Sequence, residues 1–468
     1  MTKFITIVVL MTMILTKIYA QTPTTPKKYS QTELNQDLDS LKSYIIQTHP
    51  NPFSVMSKAD FDKKIAEIKT KFNKDLTLKE YYKLVAPLVS SIADGHTALR
   101  FAGSKFMDDE SYLFPYTVKM SYSNPQIVVN EYVYDTLAVI PSGAEILSIN
   151  EIASKQIIEK IAENTSGESR EYRIKIASNV FLGAYLFTFF DFGDNFKVKF
   201  KVDNKIIEKQ IPAIKYAALK KAAQSKKKPA ESKKTPNYSL ILKNDSKTAI
   251  IDFRYFDDEN AFKIFLDSSF NIIKKEKITN LIIDIRENGG GNSALGDQLL
   301  QYVSKSKFTQ FGRTIVKYSQ IQKNFFKANC EADSTNCETY NYLKKQQNGK
   351  IETFDDQKLI TPNSNIFNGK IYLLTRLKTF SSASNFAQCF KHYKIGTVVG
   401  EETGGWIVAY GDKIATTLPI SKLAITISQK KFYTVGATEN DLHGIIPDVK
   451  VKSENALDFV LKKIKSEK

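Results

Sequence analysis

The sequence predicts a multi-domain α/β protein, and three observations carry that reading. At 468 residues the chain is about three domains long, taking roughly 150 residues per domain. Its apolar spacing changes twice, from helical repeats to short alternations and then to strands and helices in turn. Hydrophobic residues make up 42% of it, including 30 Phe and 23 Tyr, which fills several cores and excludes a coiled coil or a disordered tail.

The first twenty residues read as a cleaved signal peptide, with Lys3, an apolar run from Phe4 to Leu15 too short to span a bilayer, and Ile18-Tyr19-Ala20 before Gln21. No later segment reaches about 18 apolar residues, so a secreted or periplasmic chain without stable membrane insertion is expected. Three cysteines exclude a disulfide scaffold. Cys330 and Cys337 are close in a polar loop, where they either pair in an oxidising compartment or stay unlinked thiols, whereas Cys389 lies in an apolar helical pattern.

Residues 21–111 are expected to form an N-terminal helical domain. Leu38, Leu41, Tyr44 and Ile45 recur at helical spacing, as do Phe61, Ile65, Ile68 and Phe72, with Pro50-Asn51-Pro52 between the two sets. A third helix over 77–92 ends in Asp94-Gly95-His96-Thr97, so this domain delivers a histidine from a turn. Residues 112–214 alternate as half-buried strands, as in Phe196 to Val202, with a helix from Ser154 to Ala162. The run Ser142 to Asn150 and the helix after it are similar to the part of PDZ domains that lines a peptide groove.

Residues 215–236 read as a basic linker or a frayed helix. Between Lys215 and Lys234 stand eight lysines and one glutamate, so +7 of the net +17 sits in one stretch rather than on a folded face. With one Tyr and no Arg there, a nucleic-acid partner is not expected. Residues 237–468 alternate strands (248–253, 281–285, 370–374, 396–399, 424–427) with helices (261–275, 294–303, 382–393). That order predicts an α/β core with a largely parallel sheet and chemistry at the strand ends.

Two strand-to-helix turns carry residues suited to catalysis. In the first, Leu281 to Ile285 runs through Arg286-Glu287-Asn288 into Gly289-Gly290-Gly291. Glycines there allow positive φ and present bare N–H groups to an anion, while the lack of a following Gly-Lys-Ser/Thr disfavours a phosphate loop. Asp284 and Arg286 read as supports of the turn. In the second, Thr379-Phe380-Ser381-Ser382-Ala383-Ser384 opens a helix, where a serine serves as an N-cap or as a nucleophile favoured by the helix dipole.

These two turns, with Asp94-Gly95-His96-Thr97, Val399-Gly400-Glu401-Glu402-Thr403-Gly404-Gly405 and Gly444-Ile445-Ile446-Pro447-Asp448, resemble the S41 family of tail-specific, or C-terminal processing, serine proteases. The resemblance implies a ClpP/crotonase-like α/β protease core. It puts the nucleophile on Ser382, with Ser381 as the alternative one position off, and the oxyanion donors on the backbone N–H groups of Gly291 and Ala383. Where lysine-dyad members carry the base, this chain has Trp406, and Lys413 is too far along to replace it. The tricorn-like branch uses a histidine, which implies His96 as general base with His443 as the alternative, and Glu439 or Asp441 as the orienting carboxylate. No cofactor or metal is implied. The expected activity is hydrolysis of protein or peptide substrates through an acyl-enzyme; the competing expectation is a silent peptide-binding protein on the same scaffold.

Overall fold

The computed structural model describes residues 26–122, 124–133, 139–178, 180–225, 235–355 and 358–467, and the expected signal peptide lies outside them. Three helices open the described chain, α1 (Gln31–Thr48), α2 (Lys58–Lys69) and α3 (Leu78–Ser90). Ser30 and Thr77 start α1 and α3 through capping boxes closed by Glu33 and Glu80, and Pro50 and Pro52 lie in the break between α1 and α2. Leu38, Leu41 and Ile45 and, on α2, Phe61 and Ile65 are buried, as their spacing predicts.

The middle of the chain builds an antiparallel sheet from β1 (Tyr116–Met120), β2 (Ile127–Tyr132), β3 (Glu145–Ile149), β4 (Asn195–Val202) and β5 (Lys205–Pro212), ordered β5-β4-β3-β2-β1. Helices α4 (Ser154–Glu163), α5 (Arg170–Ala177) and α6 (Leu182–Phe189) connect β3 to β4. Phe196, Val198 and Phe200 point inward from β4 while Lys199 and Lys201 face out. β3, the strand of the expected peptide groove, is paired by β2 on one side and β4 on the other. A peptide cannot extend the sheet at β3.

Part of the expected linker is docked. Residues 216–225 form α7 (Tyr216–Ser225), whose Tyr216 and Leu219 pack against Leu113 and Ile214, while Lys215 and Lys220 pair with Glu110 and Asp109. Residues 226–234 lie outside the described residues.

The C-terminal half holds two sheets. The first joins β6 (Tyr238–Lys243), β7 (Thr248–Phe253) and β8 (Asn280–Asp284) to three later strands. The second starts with β9 (Phe311–Lys317) and β10 (Ile351–Phe354). Then follow β11 (Lys370–Thr375), β12 (Thr397–Gly400), β13 (Val408–Thr417), β14 (Ala424–Thr434) and β15 (Val449–Lys450). The first sheet runs β6-β7-β8-β11-β12-β15, parallel throughout except for β6. Helices α8 (Glu259–Lys275) and α9 (Ala294–Val303) pack on one face, which takes Ile251, Ile283 and Leu373. The C-terminal helix 456–466 packs on the other, which takes Ile250, Ile282 and Leu374. Both faces are buried, which is why these strands read as unbroken apolar runs.

The second sheet is antiparallel, β10-β9-β14-β13, and the strand expected over 424–427 is the start of β14 in this sheet rather than a member of the parallel one. Helices α10 (Gln320–Ala332) and α11 (Cys337–Leu343) follow β9, and a Cys330–Cys337 disulfide joins them, Cα to Cα 4.5 Å. Ile414, Leu418, Leu423, Ile425 and Ile427 of the β13–β14 hairpin share one apolar core with the N-terminal helices and the middle sheet. That shared core positions the histidine turn.

Candidate active site

The glycine turn is fixed by close backbone approach. Gly290 and Gly291 take φ of +96° and +140°, and a Cβ on Gly291 would stand 2.1 Å from the Phe256 carbonyl oxygen. Buried Asn288 donates to the Phe253 carbonyl (2.9 Å) and accepts from the Gly290 N–H (2.8 Å). Arg286 donates to the Asp284 carboxylate at 2.7 Å, the supporting role expected of both. The Gly291 N–H bonds none of the described residues.

The serine turn separates its two candidates. Ser381 caps α12 (Ser382–His392) with φ 55° and ψ −130°, a conformation sparsely populated by residues with a side chain, and its hydroxyl makes no capping bond. Ser382 is the first residue of the helix; it is buried, and its hydroxyl donates to the Gly291 carbonyl at 2.6 Å. The Ala383 N–H donates to the Phe380 carbonyl at 3.1 Å, whereas the Ser382 N–H bonds none of the described residues. Of the two expected oxyanion donors, Gly291 is therefore available and Ala383 is engaged. The Gly291 and Ser382 N–H groups are thus both without a partner among the described residues.

His96 reaches this turn from the helical layer. Its ring stacks on Phe380, the residue before Ser381, with centroids 4.9 Å apart, and Phe380 stacks in turn on Tyr172 of α5 at 4.4 Å. The turn is stitched to β14, where Ala98 and Leu99 pair with Thr426 and Ile425 and the Thr426 hydroxyl donates to the His96 carbonyl (2.8 Å). Nε2 of His96 bonds none of the described residues, and Nδ1 is buried without a hydrogen bond, 3.7 Å from Asp94 Oδ1.

Asp94 and Glu168 surround that Nδ1 edge. Asp94 is fully buried and accepts from the Ser428 hydroxyl (2.6 Å) and the His96 backbone N–H (2.9 Å), with His49 Nε2 at 3.2 Å. Burial alone would raise its carboxyl, but His49 and His96 beside it hold it well below the usual carboxylate range. Glu168, from the loop between α4 and α5, accepts from the Gly95 N–H at 3.2 Å. Burial and then the charge of Asp94 push its carboxyl well above that range. Asp94, His96 and Glu168 each offer a ligand atom within 4.8 Å of the others. The set suits a divalent cation poorly, because Asp94 is already occupied by hydrogen-bond donors and burial disfavours a charge on Glu168.

The other expected residues lie elsewhere. Glu439 pairs with Arg313 and Lys431, both at 2.9 Å, and accepts from Tyr433. Asp441 accepts from Thr438 and stands 3.6 Å from His443, whose Nδ1 lies against the Gly444 carbonyl. None of these three contacts His96 or the serine turn. Trp406 bridges to Gly444, and Lys413 is exposed on β13. Sequence reasoning passed over Asp94, although it is written into the Asp-Gly-His turn, and over Glu168, for which the sequence carries no signal.

Comparison with known proteins fits this geometry. The chain is similar in structure to mature CPAF, with a TM-score of 0.62 at 12% identity over 93% of this chain and 97% of that one. It is likewise similar to mature CPAF complexed with lactacystin, with a TM-score of 0.61 at 13% identity over 93% of this chain and 98% of that one. At such identities the likeness shows the fold. No curated protein sequence matches the chain. Residues 247–451, which hold both the glycine turn and the serine turn, match the model of peptidase family S41. That segment is similar to peptidase family S41.

Proposed function

We propose that the protein is a serine endopeptidase acting outside the cytoplasm, with Ser381 rather than Ser382 as nucleophile, His96 as general base and Asp94 as the carboxylate that orients it. The observation that carries this reading is the strained, uncapped Ser381 beside the ring on which His96 stacks. Two features favour Ser381 over its neighbour. The Ser382 hydroxyl is spent on the Gly291 carbonyl, and the N–H that follows Ser381 in the chain, that of Ser382, is free among the described residues. Ser381 Oγ attacks the scissile carbonyl as its proton passes to His96 Nε2, and the oxyanion is held by the Gly291 and Ser382 N–H groups. The proton then goes to the leaving amine, and water hydrolyses the acyl-enzyme.

The Cys330–Cys337 disulfide supports an oxidising compartment, in keeping with the N-terminal signal sequence. Substrates are proteins or peptides, bound between the helical domain, the β-rich middle module and the α/β core. The decisive experiment is fluorophosphonate labelling followed by peptide mapping. The adduct is expected on Ser381, abolished in Ser381→Ala and retained in Ser382→Ala. An adduct on Ser382 overturns the nucleophile assignment, and no adduct on the wild type favours the silent binding protein.

A further inference from the structure

Two buried polar atoms at the base have no hydrogen-bond partner among the described residues, Nδ1 of His96 and Oε2 of Glu168. They belong to the same cluster, with Asp94, in which all three ligand atoms lie within 4.8 Å. Buried groups left unpaired in this way are costly, and two of them facing a third polar group describe an incomplete network rather than an accident of packing. Glu168 is itself 8% exposed, and Gly95 is what lets it approach: a Cβ there would lie 2.9 Å from Glu168 Oε2 and 3.0 Å from Phe380 Cζ. The carboxyl is thus packed against the turn that carries the base, on an element from another part of the chain.

Resting on the reading of His96 as base, we propose that Glu168 is a positioning residue, the proton-bearing half of a Glu168–Asp94 acid pair closed around the Nδ1 edge of His96. Two carboxyls sharing a site cannot both ionise cheaply, so one keeps the charge and the other the proton. Asp94 keeps the charge, since it faces His49, Ser428 and the His96 N–H. Glu168 keeps the proton and donates it to the pair, while Nδ1–H of His96 finds its acceptor there. Nε2 is thereby left as the basic nitrogen. When His96 takes the serine proton, the pair presents one negative charge to the imidazolium and needs no rearrangement. The charged and titratable groups facing Glu168 are Asp94, His96 and, behind Asp94, His49 on the turn side, with Tyr172 and Arg173 on α5.

The test uses the full chain in Glu168→Gln and Glu168→Leu forms. Gln is neutral like the protonated acid and keeps a donor, so it should retain kcat within about threefold and an unchanged acid limb of the kcat/KM profile. Leu should lower kcat by about 10²-fold with KM nearly unchanged, the scale of a misplaced catalytic group. Nitrogen-15 spectra of the histidines give a readout independent of turnover: Nδ1–H of His96 should be fixed in the wild type and in Glu168→Gln and lost in Glu168→Leu. Equal losses in both variants would mean that Glu168 acts as an anion, and a wild-type rate and tautomer in Glu168→Leu would remove it from the site; either result overturns the inference. If the wild type shows no turnover or labelling, the peptidase reading fails, and the tautomer alone decides the role of Glu168.

Discussion

The two C-terminal sheets hold their halves of the site by different physics. In the parallel sheet, Ala249, Ile251, Leu281, Ile283, Leu373 and Leu374 are fully buried and apolar, and the turns at its strand ends are shaped by backbone contact with Gly290, Gly291 and Ser381. In the antiparallel sheet, β14 buries Ser428, Gln429, Lys431 and Thr434, and it holds the base turn through hydrogen bonds to Asp94, His96 and Thr97. The serine turn is held by packing and strain, the histidine turn by a polar network. Packing tolerates no added volume, whereas a network fails when one partner is removed.

That contrast is open to tests of decreasing size. Removing either reacting group should be most severe, with Ser381→Ala and His96→Ala each lowering kcat by a factor on the order of 10³ or more and leaving the melting temperature close to wild type. Retained turnover in either variant would dissolve the pairing of the two sheets. Gly291→Ala comes next, because its Cβ would stand 2.1 Å from the Phe256 carbonyl oxygen and displace an oxyanion donor. A loss of roughly 10²–10³-fold in kcat with a lowered melting temperature is expected, and an unaffected variant would deny the packing account.

On the polar side, Ser428→Ala strips one donor from buried Asp94, which should cost about 1–3 kcal/mol of stability in denaturant melts and lower kcat with little change in KM. Glu168 gives the same side a pH signature. Its folded-state pKa is raised, so its contribution to stability is complete below the unfolded value of about 4.3 and is lost as pH rises through the folded value. Glu168→Gln should therefore gain melting temperature relative to wild type as pH rises from about 4 to 8. A gap that stays constant or closes would contradict the buried-acid account. The smallest effect is expected from Glu439→Gln, whose carboxylate pairs with Arg313 and Lys431 away from His96; activity should change less than twofold.

The same contrast explains what can be read in the sequence. The apolar strand 248–253 and the helix 294–303 match the observed elements to the residue, because both faces of the parallel sheet are covered and hydrophobicity reports burial directly. The antiparallel sheet hides: buried Ser428 and Lys431 look like surface positions, so only the start of β14 stands out and its sheet is misjudged. The serine turn is legible to within one residue, since composition cannot tell Ser381 from Ser382 and a backbone angle can. Glu168 lies in Thr165-Ser166-Gly167-Glu168-Ser169, which reads as an ordinary loop before the Ser169 cap of α5; its burial is made by tertiary docking alone. Domain limits drawn from changes in pattern likewise miss that the helices, the middle sheet and the β13–β14 hairpin share one core.

The stitching of the histidine turn to β14 also sets an order in time. Thr426 and His96 are 330 residues apart, and Ser428 and Asp94 are 334 apart. A growing chain presents its histidine early and its serine turn late, yet the strand that aligns the two emerges only after both. Until that strand is in place, the two turns are present without their alignment. The long-range closure thus makes the juxtaposition of the two turns one of the last features of the chain to form.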